Sequence, residues 1–144
     1  MTHSASLFDS SKILRIHGVS LIIAGIILVT GATLGYYADW GVLSFLADNP
    51  LAYFGLIQAY LLMAIIGYSL NLITEHLQTR KWHLIAFVAH IPPLAMTIAF
   101  WDLFIEMDKA YMPYSGLVAH IVVMAIELYA YYANKRAEPK LIKN

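Results

Sequence analysis

The chain contains no cysteine. That excludes disulfides, thiol nucleophiles, iron–sulfur clusters held by cysteine and covalent c-type haem, so a redox role would need another cofactor. Charge is scarce too: only 12% of the 144 residues are Asp, Glu, Lys or Arg, against about a quarter in a typical soluble domain. There is no glycine-rich phosphate cradle, Walker-type loop, H-E-x-x-H helix or nucleophile elbow. Nucleotide and nucleic-acid binding lose their usual chemistry, and no catalytic motif presents itself. The longest connection, residues 37–50, is too short to hide a soluble catalytic domain.

What the chain has instead is apolar sequence in long runs. It is 60% hydrophobic, with a mean hydropathy of +0.67. Residues 15–39, 51–74, 82–101 and 110–134 are almost free of charge, and each is long enough for a helix that needs roughly 20 residues to cross the hydrocarbon. Apolar and polar residues do not alternate, which argues against barrel strands. The expectation is an all-α integral membrane protein: a single domain, 1–144, folded as an up-down-up-down bundle of four transmembrane helices. Its spans fall near 13–36, 51–74, 82–104 and 112–134. The first run exceeds a signal-peptide core and lacks an A-x-A cleavage site, so it reads as a retained signal anchor.

Lys and Arg set the expected orientation. Lys12 and Arg15, Arg80 and Lys81, and Lys135, Arg136, Lys140 and Lys143 fall on one side of such a bundle. Asp39, Asp48, Asp102, Glu106 and Asp108 fall on the other, with Lys109 alone positive. Both termini are therefore expected in the cytoplasm, in a plasma membrane of the bacterial inner-membrane type.

Polar residues inside the runs are few and regularly placed. His83, His90 and Thr97 are spaced by seven in the third run; His120, Glu127 and Asn134 are spaced by seven in the fourth. A seven-residue step drifts only about 20° around a helix, so each set forms one stripe. Antiparallel spans then predict three rungs: His83 with Asn134, His90 with Glu127, and Thr97 with His120. Gln58 of the second run falls at the depth of Thr97 and His120, which makes His90, Glu127, His120, Thr97 and Gln58 a mid-membrane polar cluster. Such residues are either interhelical glue or a proton or ligand site. Pro92 and Pro93, directly after His90, predict a kink.

Other patterns concern packing and cofactors. Gly18, Gly25 and Ala32 repeat at seven and Gly31 and Gly35 form a G-x-x-x-G pair, a small-residue face for close helix approach. Tyr60, Ala64, Gly67 and Asn71 share one face of the second span. The segment 36–50, with Trp40 and tyrosines, reads as interfacial. His17 and His83, both near the cytoplasmic edge, are the pair best matched in depth for b-type haem, and a quinone is the other cofactor that fits a His-lined site. Asp102, Glu106 and Asp108 are a weaker, oxygen-rich metal candidate. Three functions follow: an accessory subunit in contact with lipid and with other membrane subunits or further copies of itself, a haem- or quinone-binding redox protein, and a small proton-coupled transporter. The last lacks the inverted repeat usual in that class.

Overall fold

The computed structural model describes residues 10–74 and 79–137, and among them there is no strand. Six helices follow in order: α1 (Ser10–Ala38), α2 (Pro50–Ile73), α3 (Thr79–Ala89), α4 (Ile91–Ala99), α5 (Trp101–Glu106) and α6 (Tyr111–Ala137). Four helical stretches are long and apolar enough to cross a membrane: Ser10–Ala38, Pro50–Ile73, Arg80–Ala99 and Tyr111–Ala133. They coincide with the four apolar runs of the sequence. The chain divides into two compact units, one of Leu14–Glu75 and one that joins Met1–Ile13 to His76–Asn144.

In the first unit α1 and α2 run antiparallel, and their contact is made of the small-residue faces. A Cβ on Gly18 would lie 2.5 Å from the Gly67 carbonyl oxygen and from Asn71 Nδ2; one on Gly25 would lie 2.9 Å from the Tyr60 carbonyl oxygen. Only glycine allows backbones this close. The face of Tyr60, Ala64, Gly67 and Asn71 is thus the face that meets α1. Asn71 Nδ2 donates to the Gly67 carbonyl at 2.9 Å, and the hydroxyls of Thr30, Thr33 and Ser69 donate one turn back to Ile26, Val29 and Ile65. Polar side chains in these apolar helices are satisfied by their own backbone.

The connection between α1 and α2 packs part of its apolar content against α1. A short 3-10 turn at Ser44–Leu46 folds inward, and Leu43 and Leu46 are buried while Trp40 is exposed. Leu43 covers Gly31 and Gly35, so that G-x-x-x-G pair receives a loop rather than a second helix. Tyr36 stacks on Tyr53 with centroids 4.3 Å apart. Asn49 Oδ1 accepts from Ala52 N at 3.0 Å and Pro50 opens α2, two standard devices for starting a helix.

In the second unit α3 and α4 lie antiparallel to α6, with Ala86 and Ala130 buried. The third apolar run is interrupted twice. His90 separates α3 from α4, where Pro92 and Pro93 cannot donate to the Val88 and Ala89 carbonyls, and His90 N turns back to Phe87 O at 3.2 Å. Phe100 then separates α4 from α5.

Large apolar side chains such as Ile16, Ile23, Leu51, Leu62, Ile65, Ile98 and Ile121 are exposed, whereas Gly18, Gly25, Ala32, Gly67, Ala86 and Ala130 are buried with His83 and Glu127. The packing is inside-out by the standard of a water-soluble domain.

Gly67→Ala should lower stability in detergent by about 1–3 kcal/mol through overpacking against Gly18. Gly55→Ala, where a Cβ meets nothing within 4 Å, should leave stability unchanged or raise it by up to about 1 kcal/mol. Thermal unfolding of the purified variants measures both, and equal responses would remove the close-contact account of α1 and α2.

Candidate functional site

His83 of α3, His90 at the break between α3 and α4, and His120 and Glu127 of α6 form the seam of the second unit. His83 Nδ1 and Glu127 Oε2 are hydrogen-bonded, with both side chains essentially removed from solvent. One heptad further on, His90 Nδ1 lies 2.8 Å from His120 Nδ1, with the rings tilted by 51° and their centroids 5.1 Å apart. The two stripes do face one another, as the heptad spacing predicts.

Their rungs are not those expected. Glu127 meets His83 rather than His90, and His120 meets His90 rather than Thr97; Asn134, the expected partner of His83, has a side chain outside the described residues. The seam has slipped by one heptad, about 10 Å along a helix axis. The interruptions account for five of its seven residues. Trp101 touches Tyr114 edge-on at the far end of the seam; from there to the His83–Glu127 contact the broken side uses eighteen residues, Trp101 to His83, and the continuous side thirteen, Tyr114 to Glu127. A kinked helix takes more residues than a straight one over the same length, and the excess moves every later contact.

Thr97 is instead satisfied locally. Its hydroxyl donates to the Pro93 carbonyl at 2.9 Å, and Gly116 is its neighbour on α6. Gln58 belongs to the other unit and is exposed on α2, so it is not part of a buried cluster. His17 is buried on α1, within the unit that begins at Leu14. Asp102, Glu106 and Asp108 are all exposed. Among the described residues no three His, Cys, Asp or Glu side chains are grouped to hold a metal ion.

Two contacts lie outside the heptad stripes. Ser10 Oγ, on α1, is 2.5 Å from His83 Nε2, so both ring nitrogens of His83 are engaged. With Glu127 ionised, Nδ1–H donates to the carboxylate; Nε2 then accepts the Ser10 hydroxyl hydrogen when the ring is neutral. Ser10 is 73 residues from His83, and no periodicity within a single helix links them. Arg80 Nη2 donates to Tyr131 Oη at 3.1 Å, and its guanidinium lies 4.6 Å from the centre of that ring. The shared faces were legible, since Arg80 is one turn before His83 and Tyr131 one turn after Glu127, but the pairing itself follows from the slipped register.

The geometry bears on cofactors. A haem ligated by His83 must displace either Ser10 or Glu127 from a ring nitrogen. His90 and His120 touch directly, which leaves no room for a macrocycle between them. A small ligand that takes hydrogen bonds from imidazoles fits that second pair better. No protein-family model, curated protein or solved structure matches the chain.

A double-mutant cycle tests the register. Coupling between His83 and Glu127 should exceed about 1.5 kcal/mol, within the range for residues in direct contact, and coupling between His90 and Glu127 should stay below about 0.5 kcal/mol. Glu127→Ala alone should cost about 3–5 kcal/mol by stranding its buried partner, and the His83→Leu/Glu127→Leu double variant should recover most of it. The opposite ranking of couplings would restore the unslipped register.

Proposed function

We propose that this chain is a four-span membrane protein with both termini cytoplasmic, placed in a plasma membrane of the bacterial inner-membrane type. In this reading it serves as an accessory subunit of a larger membrane complex. The observation that carries the membrane part is the inside-out packing: long aliphatic side chains face outward along all four apolar helices, and glycine, alanine, His83 and Glu127 are inside. In water that surface would drive aggregation; in acyl chains it costs nothing. The distribution of Lys and Arg supports the orientation.

The subunit part rests on economy of structure. The described connections, 39–49 and 107–110, are short, so the surface offered to a partner lies mainly on the helices themselves. The His83–Glu127 and His90–His120 pairs act as register pins, since misaligned helices would strand a charge in hydrocarbon.

A quinone-binding redox protein is the second reading, and His90–His120 is the observation that favours it. Both imidazoles are only part-buried, and imidazole N–H groups are natural donors to quinone carbonyl oxygens.

Purification from native membranes in mild detergent separates these outcomes. The subunit reading expects partner proteins in stoichiometric amounts. The second expects co-extracted quinone that falls by at least about tenfold in His90→Ala or His120→Ala, as loss of a charged or buried hydrogen bond of about 1.5–3 kcal/mol implies. A monodisperse, quinone-free monomer overturns both. Reporter fusions after residue 144 and within residues 39–49 test orientation, and an external C-terminal reporter would overturn it.

A further inference from the structure

We propose that Ser10, His83 and Glu127 form a nucleophile–base–acid relay for acyl transfer, with a long-chain ester as the class of substrate. This goes beyond the subunit reading and does not depend on it. Two features of the structure carry it. The atoms are those an acyl-transfer relay uses: the serine hydroxyl on Nε2 at 2.5 Å and the carboxylate on Nδ1 of the same ring. His83 and Glu127 are fully buried, whereas Ser10 retains partial exposure, so the nucleophile alone is placed to meet a substrate.

The substrate class comes from the neighbouring groove. An open apolar groove of about 430 Å³ is lined by Ile13, Ala125, Ile126 and Tyr129. Ile13 is one turn from Ser10 on the same face of α1, and Ile126 adjoins Glu127 in sequence. An acyl chain is the occupant that such walls favour, with its ester carbonyl directed to the serine.

The chemistry balances with water as the second reactant. Ser10 Oγ bonds to the ester carbonyl carbon as its proton passes to His83 Nε2. The bond from that carbon to the alcohol oxygen then breaks, and Nε2–H returns the proton to the departing alkoxide. Water hydrolyses the acyl-serine by the same route in reverse, which yields one acid and one alcohol per ester. Glu127 holds the Nδ1–H tautomer throughout and stabilises the imidazolium.

The test uses the full chain in detergent micelles and an alkyl fluorophosphonate, which forms a serine O–P bond with loss of fluoride. Intact mass and peptide mapping should place one adduct on Ser10. Ser10→Ala should abolish labelling and Ser11→Ala should leave it unchanged. Glu127→Gln and His83→Gln should slow labelling at least about 100-fold, the usual scale of lost base catalysis, while size-exclusion profiles report that the variants remain folded. A decyl probe should react at least about tenfold faster than an ethyl probe. Absence of labelling in folded wild-type protein, an adduct that survives Ser10→Ala, or labelling indifferent to both Glu127→Gln and His83→Gln overturns the relay. Equal rates for the two probes overturn the long-chain substrate.

Discussion

Which polar side chains meet in this protein depends on the length that α3, α4 and α5 consume against the unbroken α6. With a straight third helix, the turn before Tyr111 would bring His90 to Glu127. Interruptions at His90 and Phe100 use extra residues on one side only, so Glu127 advances to His83 and His120 to His90. The consequence is chemical as well as geometric. One mixed cluster becomes two separate sites: a carboxylate–imidazole pair extended by a serine, and a pair of imidazoles that hydrogen-bond only through a shared proton.

In the proposed membrane setting there is no hydrophobic drive between helices, and the rest of the architecture is consistent with that. Contact must then come from closeness and from polar bonds. The first unit uses closeness: Gly18, Gly25 and Gly67 let α1 and α2 approach until any Cβ would collide with backbone. The second unit uses bonds, with His83, Glu127, His90 and His120 on its seam and Arg80 over Tyr131 at one end. Ala86 and Ala130, both buried, leave space for the His83–Glu127 hydrogen bond to close.

Much of this was legible in the sequence because it depends on periodicity. Length and composition gave the four apolar helices, the seven-residue repeats gave the facing stripes, and Pro92 and Pro93 gave the break. The rung register was not legible, since spacing defines a face but not a height, and the residues absorbed by a kink cannot be counted from a proline pair. Leu43 was missed for a related reason: a G-x-x-x-G face invites close approach without naming what approaches. Ser10 lay beyond reach because stripe arguments work along single helices, whereas its contact with His83 spans 73 residues. Gln58 was placed by depth alone, and depth says nothing about which way a side chain turns.

The interruption at His90 also reshapes the electrostatics of the seam. A continuous helix confines its macrodipole charges to the two ends, but the end of α3 at Ala89 and the start of α4 at Ile91 place a negative and a positive pole at mid-length. Those poles do not cancel evenly. Pro92 and Pro93 remove two of the donors that would make the positive one, while the Val88 and Ala89 carbonyls remain. The gap beside the His90 and His120 rings is therefore richer in acceptors than in donors.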